Sequence, residues 1–152
     1  MAVVKTKSDL IHDYLDDASV APDPVQARGR VIKATGTVAN EADDSNTSSY
    51  HLVDLPSDCI LDPATFFDVE NWGFAQVVIG TLTDTDALVD QTLITENIVT
   101  PIAQGDANHG LRLWQVLGLA SDPGGNISLY AHSEADAAGA GSMLFQVAYL
   151  YH

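Results

Sequence analysis

Apolar and polar residues alternate with a period of two along much of the chain beyond residue 30, the spacing of half-buried β-strands. In RVIKATGTV (30–38), Val31, Lys33, Thr35 and Thr37 fall on one face, with Ile32, Ala34, Gly36 and Val38 on the other. ISLYAH (127–132) sets Ile127, Leu129 and Ala131 against Ser128, Tyr130 and His132. YHLVDL (50–55), CILD (59–62) and GFAQVVIGTL (73–82) read as further strands. NEADDSNTSS (40–49) has the polar, turn-rich make-up of a loop. DTDALVDQTLITENIV (84–99) reads as an acidic loop followed by a strand. SMLFQVAYLY (142–151) is apolar on both faces, which predicts a central strand. The small residues of ADAAGAG before it predict a flexible loop closing a hairpin between this strand and ISLYAH.

Helical spacing occurs twice. KSDLIHDYLDDASV places Leu10, Ile11, Tyr14 and Leu15 on one face, with Ser8 as a cap and Asp9 in the first turn. The prolines of APDP (21–24) end that pattern. NHGLRLWQVLG (108–118) predicts a short helix from Leu113, Trp114, Val116 and Leu117, capped by Asn108 and stopped by Gly118. Some eight strands and two short helices make this an all-β chain. The expected architecture is one antiparallel β-sandwich of jelly-roll type over 30–152, preceded by an arm and linker over 1–29. No internal repeat is visible.

Composition narrows the function classes. The 152 residues are 46% apolar, enough for one globular core. No apolar run reaches the roughly 20 residues of a membrane helix, and MAVVKTKSD lacks the apolar stretch of a secretory leader. Cys59 is the single cysteine, as suits a chain made in a reducing cytosol. Charge divides sharply along the chain. Lys5, Lys7, Arg28, Arg30 and Lys33 are five of the six basic residues and balance five acids within residues 1–33. Residues 34–152 hold 16 acids against Arg112 alone and so carry the whole net charge of −15. Such a body repels nucleic acid and anionic membranes, which argues against both as partners.

Candidate chemistry is sparse. SDPGGNISLYAH (121–132) offers adjacent glycines, but a strand follows them where a phosphate-binding loop needs a helix, and no Lys-Ser/Thr pair is present. Asp-Pro-Gly-Gly instead fits a β-turn. AGAGSMLF (138–145) lacks the second glycine of a nucleophile elbow around Ser142. Asp84, Asp86 and Asp90 are hard oxygen ligands that suit Ca²⁺, without the glycine and glutamate of an EF-hand loop. The five histidines show no metal-ligand spacing. Trp72, Trp114, Phe66 and Phe67 could form a sugar platform, and are expected in the core. No catalytic constellation and no cofactor are implied, and an enzyme is not expected.

GLRLWQVLGLASDPGGNISLYAH, the Ala/Gly-rich loop and the terminal SMLFQVAYLY resemble a group of capsid-associated jelly-roll proteins of tailed bacteriophages. RVIKATGTVAN and SSYHLVDLPSDCIL are similar to the opening of such proteins, which extends the likeness over 30–151. The resemblance implies a virion structural protein made in the host cytoplasm and placed on the outer capsid surface as a decoration, cement or head-fibre component. It further implies the major capsid protein as partner and a homo-oligomer, with a trimer favoured. The arm is then the docking segment, through Lys5, Lys7, Leu10, Ile11, Tyr14, Arg28, Arg30 and Lys33. The alternative is a virion-associated carbohydrate-binding or host-adhesion module, with calcium in its loops.

Overall fold

The computed structural model describes residues 4, 6–12, 15, 18–93 and 97–152. Nine strands occur among them: β1 (Arg30–Asn40), β2 (Ser49–Pro56), β3 (Ile60–Leu61), β4 (Phe66–Asp68), β5 (Gln76–Gly80), β6 (Val89–Thr92), β7 (Ile98–Val99), β8 (Asn126–His132) and β9 (Gly141–Tyr151). Two short helices, α1 (Pro24–Arg28) and α2 (Leu113–Val116), complete the set. The strands form two antiparallel sheets. One runs β1-β9-β4-β7 with β3 also paired to β9, and the other runs β2-β8-β5-β6.

The alternation seen in the sequence sets the inward faces. On β9, Met143, Phe145 and Val147 point into the core, and their partners Val38, Gly36 and Ala34 on β1 share that face. The opposite sheet contributes Leu55, Val77, Ile79, Ile127, Leu129 and Ala131 to the same cluster. Burying each large side chain contributes about 1.5–3 kcal/mol, and this layer is the main source of stability in a chain without disulfides. Gly36 leaves room for a core ring. A Cβ there would lie 2.8 Å from the Phe145 ring.

β9 is the central strand its apolar faces predict. It pairs with β1 along all eleven residues on one side and with β3 and β4 on the other. Both its edges are thereby filled, so the expected hairpin with β8 does not form. β8 lies in the other sheet, between β2 and β5. The 133–140 loop crosses between the sheets and is pinned. Asn40 Nδ2 donates to Gly139 O at 2.9 Å, and the Ala138 N–H donates to Gly73 O at 2.8 Å. Asn40 Oδ1 also accepts from the Gly73 N–H at 3.1 Å.

Both helices depart from expectation. No helix occurs among the described residues before Pro24, and Tyr14 lies outside them. The helix forms instead within the stretch expected as a linker. Pro24 occupies the first helical turn, where its fixed φ is favourable, and the Asp23 carboxylate caps the Val25 N–H at 2.8 Å. Val25 is buried, and α1 packs on β9 near Leu150. The second helix starts at Leu113 and not after Asn108. Gly110 holds a φ of +85°, which interrupts the chain before it, and Gln115 caps back onto the Arg112 N–H at 2.9 Å. Gly118, at φ +74°, ends it as the sequence predicts.

Candidate functional site

Of the residues expected to dock a partner, Leu10, Ile11, Arg28 and Arg30 line two adjoining grooves near the start of β1 and the end of β9. Leu10 and Ile11 line a groove with Pro22, Pro24, Arg28 and His152. Arg28 continues into a second groove with Arg30, Ile32 and Tyr151. Leu10, Ile11, Val31, Ile32 and Tyr151 are large apolar side chains left 36–54% exposed. Lys33 is exposed on the opposite face of β1 from Ile32, and Lys7 is exposed on the arm. Lys5 and Tyr14 lie outside the described residues. Among the described residues β1 is an edge strand, with no strand paired to it on the side away from β9. This end of the molecule therefore combines cations, apolar surface and an unpaired strand edge.

Arg112, the lone cation of the acidic body, is spent inside the fold. Its Nη1 donates to Asp58 O at 2.7 Å and its Nη2 to the Asp23 carboxylate, which ties the cap of α1 to the sandwich. Partial burial pushes the Asp23 carboxyl up, but the bonds from Val25 and Arg112 outweigh it and leave it below its ordinary value.

The calcium candidates do not assemble. Asp84 and Asp86 are exposed and share a hydrogen bond, which raises the Asp84 carboxyl. Asp90 stands on β6, paired with Val78. Among the described residues no three His, Cys, Asp or Glu side chains come close enough to hold a metal ion.

The glycine pair resolves as a turn. Gly124 and Gly125 take φ values of +71° and +64°. The Asp122 carboxylate accepts from the Gly124 N–H at 2.8 Å and from the Ser57 hydroxyl at 2.6 Å, which lowers its proton affinity. The Ser57 N–H donates to Gly125 O at 2.9 Å. These bonds fasten the turn to the end of β2, against which β8 then pairs. Ser142 is an ordinary β9 residue opposite Ala39. Trp72 and Phe67 are buried in the core, while Phe66 and Trp114 are half-buried.

Polar groups that the sequence did not bring together lie on the outer face of the β2/β8 sheet. His51 Nε2 lies 2.8 Å from Asp54 Oδ1, and the same oxygen accepts from the Ser128 hydroxyl. These bonds, Ser128's foremost, hold the Asp54 carboxyl below its usual range. A nucleophile relay needs serine on histidine. Here the carboxylate is the hub, so the three residues do not form that relay. The His51 ring stacks on Tyr130 at 4.7 Å, and Tyr130 contacts the His132 ring at 6.1 Å. His132 is only 6% exposed, and burial lowers its pKa. It lines a cleft of about 460 Å³ with Thr47, Ser49, Leu82, Thr85 and Glu134.

Comparison with protein-family models, curated proteins and solved structures finds no match for this chain.

Proposed function

We propose that the chain is a non-catalytic structural protein of a tailed-phage virion, bound to the outer surface of the capsid through its N-terminal arm and the start of β1. The observation that carries this reading is the segregation of charge and apolar surface. Arg28 and Arg30 line two adjoining grooves with exposed Leu10, Ile11, Ile32 and Tyr151, Val31 and Lys33 are exposed on the other face of β1, and residues 34–152 carry 16 acids and one base. A patch of this kind suits a partner that is both apolar and anionic, and it leaves the acidic body facing solvent. In this reading the partner is the major capsid protein and the chain is a trimer, so that each unit bridges neighbouring shell subunits and stabilises them by mass action.

Strand order supports the jelly-roll form of the sandwich. With the two-residue β3 set aside, the orders 1-9-4-7 and 2-8-5-6 are those of two wrapped Greek keys.

The test is cosedimentation with empty capsids assembled from the major capsid protein of the same genome. The truncation must stop short of Asp23, because Asp23 and Val25 belong to the body. Removing residues 1–20, or reversing Arg28, Arg30 and Lys33 to glutamate, is expected to abolish pelleting with the shell while the circular-dichroism spectrum stays β-rich. Undiminished pelleting of both variants overturns the docking assignment.

A further inference from the structure

We infer that the 81–88 loop is an acid-released cover: protonation of His132 frees it from the outer face of the β2-β8-β5-β6 sheet. The inference goes beyond capsid docking, which uses the other sheet.

The loop joining β5 to β6 folds back on its own sheet. Val77 and Ile79 face the core, so Val78 and Gly80 point outward, opposite His132 and Tyr130 on β8. An outward face is ordinarily wet, yet Val78 is only 1% exposed and His132 only 6%. The loop backbone lies close against this face. A Cβ on Gly80 would stand 2.2 Å from Asp84 O and 2.7 Å from Thr85 O. Leu82 and Thr85 stand with His132 in the wall of one cleft. The Thr81 N–H donates to Asp84 O at 2.8 Å and the Leu88 N–H to Ile79 O at 2.9 Å. Both bonds stay within the hairpin, so packing is the main hold of the cover on β8.

His132 makes that packing depend on protonation. Its Nε2 is closed to solvent and has no hydrogen-bond partner. A neutral ring fills such a place in either tautomer. The imidazolium adds a full charge and carries an N–H on both nitrogens, one of them without an acceptor, which is costly in a buried site. The carboxylates on the segments around the ring are Asp44, Asp84, Asp86, Glu134 and Asp136, and none bonds Nε2. Asp44 accepts from Tyr50, Asp84 and Asp86 bond each other, Asp136 accepts from the Asn46 N–H, and Glu134 is exposed. Along the same face lie Tyr130 and, stacked on it, His51, whose ring is held by Asp54.

With the loop lifted, water reaches the ring and it titrates near its ordinary 6.5. Burial holds the closed form below that, outweighing a contact with the Thr81 backbone that favours the charged ring. The open form thus binds the proton more readily, so the loop lifts as pH falls below 6.5 and settles again above it.

The experiment is amide hydrogen exchange on the full chain, read residue by residue by NMR and expressed as protection relative to the intrinsic rate at each pH. The Thr81 and Leu88 amides report the loop, and the amides of the β1/β9 ladder report global opening. Between pH 7.5 and pH 5.5 the loop amides of the wild-type chain are expected to lose protection at least about fivefold, with the ladder unchanged. His132→Phe and His132→Gln, which place an uncharged side chain under the loop, are expected to abolish that loss. Constant loop protection in the wild-type chain, an equal loss in both variants, or a loss shared by the β1/β9 ladder would each overturn the inference.

Discussion

His51 and Asp54 stand three residues apart on one strand yet meet at 2.8 Å on the same face of the sheet. Strict alternation would put them on opposite faces. The register of β2 against β8 shifts between His51 and Val53, and the extra residue at Leu52 turns Asp54 back to the side of His51. The same shift lets Tyr50 and Val53 both pack against the core.

Deleting Leu52 should therefore be far more damaging than its half-buried position suggests. Without the bulge, either Tyr50 or Val53 and Leu55 must face solvent. A loss of about 3–5 kcal/mol is expected, the size of removing a large core side chain. Urea unfolding followed by tryptophan fluorescence measures it, and Leu52→Ala serves as the control that keeps the bulge.

The α1 segment should behave as part of the body. Val25→Ala is expected to cost about 2 kcal/mol through lost burial. Asp23→Ala should cost about 1 kcal/mol through the lost cap, and Asp23→Asn, which keeps a capping oxygen, should cost less. Equilibrium denaturation of the three variants decides the order.

Cys59 should be inert in the folded chain. It is fully buried, and burial, with help from the Asp58 charge, pushes its thiol up to about 12. A thiol reagent at pH 8 is expected to leave the native protein unmodified and to label one equivalent in guanidinium. Rapid labelling of the native chain would contradict the packing around β3.

Acid should weaken the fold in two separate windows. His132 has a folded pKa below its ordinary 6.5, so the unfolded chain binds this proton more readily. Stability then declines as pH falls from above 6.5 through the lowered folded value. Asp23, Asp44, Asp54, Asp106 and Asp122 are each held below the ordinary 3.8, so their contributions are lost only at lower pH. Melting temperature against pH should show both declines, and His132→Phe should remove the upper one alone.

Much of the fold was legible because it depends on local alternation. The inward sets of β1 and β8 follow from residue parity alone, and the two-faced apolar run of β9 foretells its central place. Asp-Pro-Gly-Gly also reads correctly as a turn, since positive φ at two successive residues is a local demand of the backbone. Strand partnership is not local. Nothing within ISLYAH or SMLFQVAYLY says that β9 will be filled on both edges and leave β8 to the other sheet. Helix α1 escaped notice because five residues carry no measurable period. The face joining His51, Asp54 and Ser128 depends on a bulge, and the His132 cleft gathers residues from the 45–49, 81–88 and 132–134 segments. Of the docking residues, Leu10, Ile11, Arg28 and Arg30 do converge along two adjoining grooves, although the expected helix is not what brings them there.

The most direct measurement of the capsid role is the stoichiometry of the purified wild-type chain on empty capsids of the same genome, by cosedimentation across a salt series. Saturable binding at a fixed ratio to the major capsid protein, weakening as salt screens Arg28, Arg30 and Lys33, is the predicted result. A chain that stays in the supernatant at every salt concentration, with capsids intact, would contradict it.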